Sequence, residues 1–212
     1  GGKVWRDAET DAELPAVGDW VALDRGAKGD EVVIRARLPR QSRFSRKVPG
    51  KSAEEQVIAA NVDVVVVVTD AGSDHSPRRI ERYLTLIDRC GAKPVVLLNK
   101  SDLFSAEHCA GAAAELRVLS DSAEIRVTSA LEEQGLAVLE EYLRPGTTIT
   151  LVGSSGVGKS TLVNQLLGGE WLDTNEVNEV TGRGRHTTTA RELIVLPGVG
   201  MLIDNPGVRE MQ

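Results

Sequence analysis

Aromatic residues make up only 3% of the 212 positions, so aliphatic side chains must supply the core. Cysteine is nearly absent. Cys90 and Cys109 stand outside any CxxC or Cys/His cluster, which excludes a closed zinc tetrahedron. Both lie in stretches that read as helix and are expected to be free core thiols; zinc is not expected. No apolar run approaches the roughly 20 residues that cross a bilayer. The longest, Val64–Val68, is followed at once by Thr69 and Asp70, and no charged-then-apolar segment opens the chain. A cytoplasmic protein, monomeric and without a membrane contact, is the expectation. The chain begins at Gly1 without methionine and stops at Gln212 just past a motif, so it is expected to be a fragment of a longer protein.

Uniform basicity is also missing. The formal charge is -6, which argues against a generally cationic nucleic-acid binder. Charge is uneven, however: Val32 to Ser52 contains no acid and carries Arg35, Arg37, Arg40, Arg43, Arg46, Lys47 and Lys51. Such a run is a candidate contact for an RNA phosphate backbone. A solvated basic strand and loop is the plain alternative.

With 41% hydrophobic and 26% charged residues, the chain falls in the globular range, and its length suits two units. Asp19–Leu23 and Glu31–Leu38 are short, β-branched-rich segments around a turn-forming stretch at residues 24–29, as expected of part of a small β-barrel. From Val64 the pattern becomes strands alternating with helices, the signature of βαβ units and a mostly parallel sheet. Strands are expected at Val64–Thr69, Pro94–Leu98, Glu124–Thr128, Thr148–Val152, Glu192–Leu196 and Met201–Ile203. Ser76-Pro77 has the chemistry of a helix start. The expected division is 1–50 for a β unit and 51–212 for an α/β unit.

Gly153-Ser154-Ser155-Gly156-Val157-Gly158-Lys159-Ser160, followed by Thr161, matches GxxxxGK[ST] between an expected strand and an expected helix. Its backbone N–H groups suit phosphates, Lys159 suits the β- and γ-phosphates, and the Ser160 hydroxyl suits Mg2+. Asn99-Lys100-Ser101-Asp102 is an NKxD box. The Asp102 carboxylate can accept from guanine N1–H and its 2-amino group, a donor pair that adenine lacks. Asn99 would brace the loop and the base, and the Lys100 stem would lie over the ring. Thr128-Ser129-Ala130 fits the short box whose backbone N–H, here that of Ala130, approaches the guanine carbonyl oxygen. Asp204-Asn205-Pro206-Gly207 fits DxxG, with Asp204 holding Mg2+ through water and the Gly207 N–H at the γ-phosphate. Between them, Gly182–Thr189 is a glycine- and threonine-rich loop of the switch type, with Thr187, Thr188 or Thr189 closing on Mg2+. GTP and GDP are thus the expected ligands.

In ordinary GTPases the P-loop comes first and NKxD follows; here NKSD and TSA precede it and DNPG comes last. That order, the run GRGRHTTT, the segment Arg78–Leu84 and the phrase Ala60-Asn61-Val62-Asp63 together resemble the ribosome small subunit-dependent GTPase A family, RsgA. The resemblance covers nearly the whole chain. It implies an α/β P-loop GTPase domain, circularly permuted, preceded by a small, incomplete OB-fold β-barrel from Val4 to about Arg46. It further implies GTP hydrolysis and a role in late maturation of the small ribosomal subunit, with the basic run facing rRNA. The family's C-terminal zinc domain has no counterpart here, and Asn205 stands where the family more often has threonine.

Val208 occupies the position where Ras-like enzymes keep a water-orienting glutamine, which implies slow intrinsic hydrolysis, on the order of 10⁻⁴ s⁻¹ or somewhat faster. His186, beside the switch threonines, is the candidate to position the water, with Lys159 and Gly207 as the other catalytic groups. Two other readings remain open: a nucleotide-gated RNA-binding module with negligible turnover, and a permuted GTPase of large-subunit assembly. His75 and His108 are expected to be solvent-exposed.

Overall fold

The computed structural model describes residue 8 and residues 10–25, 32–47, 55–132, 134–169 and 191–204. Four strands come first: β1 (Val21–Arg25), β2 (Val32–Arg37), β3 (Arg43–Lys47) and β4 (Glu55–Ala60). An alternating series follows: β5 (Val64–Asp70), α1 (Pro77–Cys90), β6 (Lys93–Asn99), α2 (Ala106–Arg117), β7 (Glu124–Val127) and α3 (Gln134–Glu140). The described part ends with β8 (Thr148–Val152), α4 (Lys159–Leu166), β9 (Glu192–Leu196) and β10 (Gly200–Asp204). All six strands expected from Val64 onward are present, with ends within two residues of expectation.

Those six strands form one sheet in the order β7-β6-β5-β8-β10-β9, parallel except for the edge pair β9/β10. Every residue of β5 is buried. Thr69 and Asp70 at its end are satisfied by the loop that follows, Thr69 donating to the Asp74 carbonyl and Asp70 accepting the Gly72 and Asp74 N–H groups. The five valines of β5 suit a strand covered on both faces. Its period of two then decides the packing. Val65 and Val67 join Ile80, Tyr83 and Ile87 of α1 and Leu116 of α2, while Val64, Val66 and Val68 join Leu139 of α3 and Leu162 of α4. The sheet is therefore a middle layer with helices on both sides.

Helix α1 starts as Ser76-Pro77 suggests, with Ser76 extended at the cap and Pro77 in the first turn. The Ser76 hydroxyl makes no capping bond, and the Ser76 carbonyl receives the Arg79 and Ile80 N–H groups instead. The helix ends at Gly91, whose φ of 80° is left-handed.

Among the described residues, β1–β4 form two separate antiparallel pairs, β1/β2 and β3/β4. Strand β1 starts two residues later than expected and runs through Asp24 and Arg25, which the sequence assigns to the turn. A cross-strand bond from Arg35 to Asp24 supports that extension. The β3/β4 pair straddles the expected boundary at residue 51, and its Phe44, Ile58 and Ala59 enter the same core as Val65 and α1.

The phrase Ala60-Asn61-Val62-Asp63 stitches this unit to the sheet. Asn61, at a φ of 53°, accepts from Gln41 N–H and donates to the Gly18 carbonyl, both at 2.8 Å. Asp63 accepts the Thr148 N–H at 2.7 Å and so fixes the start of β8.

Candidate guanine-nucleotide site

A parallel sheet directs the carboxyl ends of its strands to one edge, and the sequence boxes stand there. NKSD follows β6, Thr128-Ser129-Ala130 follows β7, the P-loop joins β8 to α4, and Asp204 ends β10. Because β10 runs parallel beside β8, Asp204 and Ser160 share this edge. Both are half-buried.

The P-loop takes its shape from glycine where no side chain fits. At Gly153 (φ 146°) an added Cβ would stand 2.2 Å from the Val68 carbonyl oxygen of β5, and at Gly158 (φ 101°) it would stand 2.3 Å from Asn99 Nδ2. Gly158 caps α4, so the loop delivers backbone N–H groups and a helix N-terminus to the same place. The Lys159 ammonium donates to the Gly153 and Ser154 carbonyls at 2.9 and 2.5 Å. Val157 is buried, Ser155 and Gly156 are exposed, and Ser154 and Thr161 are intermediate.

Asn99 joins three boxes with one side chain. It is 1% exposed, its Nδ2 donates to the Val157 carbonyl at 2.8 Å, and its Oδ1 accepts from the Ala130 N–H at 2.8 Å. These bonds brace the loops, the first part of the expected role, and they take up the Ala130 N–H that sequence reasoning assigns to guanine. Lys100, left-handed at φ 59°, sends its Nζ to the Gly156 carbonyl at 2.6 Å and so also ties β6 to the P-loop. Ser101 donates its N–H to the Thr128 carbonyl. Asp102 is exposed, and the buried Ser129 hydroxyl donates to its Oδ1 at 2.5 Å, holding the carboxylate in one orientation.

His186, Thr187, Thr188, Thr189, Asn205, Gly207 and Val208 lie outside the described residues, as does Lys51. Arg191, just after that first group, donates to the Val57 carbonyl of β4 at 2.8 Å. Burial first, and then the nearby Arg46, hold its guanidinium below the usual arginine range.

The basic run divides into two kinds of arginine. Arg40 is a correction to the sequence reading, because its guanidinium is 7% exposed and grips Asp19 at 2.7 and 2.8 Å together with the Ala12 and Leu14 carbonyls. Its Nε, Nη1 and Nη2 all donate within the fold. Arg43 pairs with Glu55 at the surface and Arg46 donates to the neutral Gln56.

His75 also departs from expectation, since its side chain is 15% exposed with Nε2 2.9 Å from Glu115. Helix α2 brings that carboxylate across, a tertiary contact invisible in the local sequence. His108 is exposed but stacks on Phe104 and approaches the Ala71 carbonyl at 2.7 Å. Cys90 and Cys109 are buried and free, as expected, and burial pushes the Cys90 thiol up from its ordinary range. No helix among the described residues is long and apolar enough to cross a membrane.

Sequence and fold both match known proteins. The family model for the RsgA GTPase matches residues 37–212. A small ribosomal subunit biogenesis GTPase RsgA of Opitutus terrae is 46% identical over 219 residues, covering 100% of this chain and 59% of that protein. One from Xanthomonas oryzae pv. oryzae is 47% identical over 201 residues, covering 94% of this chain and 53% of that protein. This chain thus spans little more than half the length of these curated relatives. The crystal structure of YjeQ from Thermotoga maritima superposes with a TM-score of 0.66 at 29% identity, covering 94% of this chain and 63% of that one. YloQ, described as a circularly permuted GTPase, shares the fold with a TM-score of 0.63 at 21% identity, over 99% of this chain and 62% of that one. With the family matched across most of its length, and with the boxes in permuted order at one sheet edge, this chain belongs to the RsgA GTPase family.

Proposed function

We propose that this chain binds GTP and GDP with Mg2+, hydrolyses GTP to GDP and phosphate, and serves small ribosomal subunit maturation through contact with rRNA. One observation carries the nucleotide reading: Asn99 fastens the phosphate cradle at Val157 to the base-reading loop at Ala130, while Ser129 orients Asp102. A cradle and a guanine acceptor held by shared hydrogen bonds form a site for a single ligand with both features.

Ser160 and Asp204 offer hydroxyl and carboxylate oxygens at one edge, the hard donor set that Mg2+ accepts. When bound there, Mg2+ neutralises charge on the β- and γ-phosphates. Lys159 exchanges its two carbonyl contacts for phosphate oxygens, and the Asp102 carboxylate accepts from guanine. The names of the relatives support the ribosomal role, and the arginines of β2 and β3 support RNA contact. We read residues 1–50 as an incomplete OB-like unit and 51–212 as the permuted GTPase unit, with the β3/β4 pair linking them. A monomer in the cytoplasm fits this role.

Calorimetry with GTP, GDP and ATP in Mg2+ tests the reading, together with multiple-turnover phosphate release with and without small ribosomal subunits. Tight binding of GTP and GDP but not ATP is expected, with slow release that subunits accelerate. Equal affinity for ATP and GTP overturns the guanine assignment.

A further inference from the structure

Helix α1 packs against β3, and between them runs a groove of about 1100 Å³ on the side of the molecule that carries the basic run. Arg43 of β3 lines one wall; Arg82 and Arg89 of α1 line the other. The sequence run accounts only for the first. Arg82 and Arg89 are exposed and form no ion pair among the described residues. Arg37 also lines the groove, and its Nε is buried without a hydrogen-bond partner among the described residues.

We infer that this groove is a binding site for a single RNA strand, with Arg82 and Arg89 of α1 gripping its phosphates opposite Arg43 of β3. The inference rests on the rRNA-contact reading above and deepens it by naming the surface. Three features select the occupant. The volume exceeds the roughly 300–1,000 Å³ usual for small-ligand pockets. Arg82 and Arg89 lie about 10 Å apart along a helix rising 1.5 Å per residue. On β3, Arg43 presents to the groove together with Ser45 and Glu55, while Arg46, three residues further on, leaves the other face of the strand and bonds Gln56. Two guanidinium groups spread along α1 and a third, Arg43, facing them across the groove suit an extended chain of phosphates, not one compact anion, and each planar fork can take a phosphate in bidentate fashion.

Glu13, Glu55 and Glu81 also line the groove and oppose this binding. Glu55, at 44% exposed, is already neutralised by Arg43, at 49%. That contact uses Nη2 of Arg43, so the guanidinium can keep Glu55 paired while its remaining N–H donors take a phosphate.

The test uses a labelled short single-stranded RNA of mixed sequence, bound to the whole chain in excess GDP at several KCl concentrations and read by anisotropy. Three variants are compared with wild type: Arg82→Gln with Arg89→Gln, Arg43→Gln with Arg46→Gln, and Arg78→Gln. Arg78 is exposed one turn earlier on α1 but does not line the groove, so it is the control for loss of charge alone. Losing both α1 contacts should flatten the slope of log affinity against log salt by about 1.4, at about 0.7 per single-strand contact. Arg78→Gln should leave the slope unchanged, and GDP affinity should be the same in all four proteins.

If the α1 pair binds as wild type while the β3 pair flattens the slope, α1 is not a wall of the site, and the rRNA reading survives without this inference. If neither pair alters the slope, both readings fall. If poly-glutamate binds as tightly as RNA and loses affinity equally on removal of Arg82 and Arg89, the groove takes an acidic polypeptide, and the RNA assignment is overturned.

Discussion

Replacing Asn99 by alanine should separate the P-loop from the Thr128–Ala130 loop, and its cost can be worked from two bonds. The substitution strands the Val157 carbonyl and the Ala130 N–H, in residues 1% and 5% exposed, where water cannot readily replace the lost partner. Each buried polar group left unsatisfied costs about 1–3 kcal/mol, so the total is about 2–6 kcal/mol. Urea unfolding without nucleotide reads the part of this that belongs to the fold. Calorimetry with GDP reads the part that belongs to the site, because loops no longer fixed to one another must be ordered by the ligand. Asn99→Asp sharpens the test: it keeps an acceptor for the Ala130 N–H but sets a carboxylate against the Val157 carbonyl. Hydrogen exchange at Ala130 should therefore be fast in Asn99→Ala and protected in Asn99→Asp. An Asn99→Ala protein that unfolds within about 0.5 kcal/mol of wild type, with Ala130 still protected, would refute the bridging role.

Asp102→Asn should weaken GDP binding by about 2–4 kcal/mol, because a charged acceptor for two guanine donors becomes a neutral amide; an unchanged calorimetric affinity would remove Asp102 from base recognition. Arg40→Ala should cost about 3–5 kcal/mol in urea unfolding by leaving the buried Asp19 carboxylate without its main partner. Arg43→Ala, which breaks a half-exposed pair, should cost less than about 1 kcal/mol, and equal losses would contradict this contrast. Burial raises the folded-state thiol pKa of Cys90, so its contribution is complete below the ordinary thiol range and declines as pH rises through the folded value. Cys90→Ala should flatten the alkaline limb of the stability profile above about pH 8.5, and an identical limb in the two proteins would show that Cys90 does not titrate there.

Local chemistry made much of this molecule readable. Strand β5 announces itself as five valines in a row, Ser76-Pro77 opens α1, and each nucleotide box keeps its spacing wherever it falls in the chain. Arg40 was not readable, because an arginine in a basic run looks the same whether it meets RNA or a buried aspartate 21 residues away. The same holds for His75, whose partner Glu115 comes from another helix. Arg82 and Arg89 lie on a helix with its own acids, so no count of charge along the sequence singles them out. Only the packing of α1 on β3 sets them opposite Arg43. The phrase Asn61-Val62-Asp63 carried family likeness without a reason; the left-handed Asn61 and the Asp63 bond to β8 supply one.

Permuted order does not disturb the site, for a reason visible in two glycines. Asn99 and Val157 are 58 residues apart in the chain and 2.8 Å apart in space. Their strands, β6 and β8, are not neighbours, since β5 lies between them and sets them about 9.6 Å apart at two strand spacings. The P-loop has to cross the end of β5 to reach Asn99. It does so at Gly153, where any side chain would collide with the Val68 carbonyl, and it meets Asn99 at Gly158, where a side chain would displace the amide. Each requirement concerns which strands are adjacent and which residues end them, and none concerns the order in which the chain visits them. Connections made at the opposite edge of the sheet can therefore be re-cut while the P-loop, the NKSD loop and the Thr128–Ala130 loop stay fastened by the same bonds.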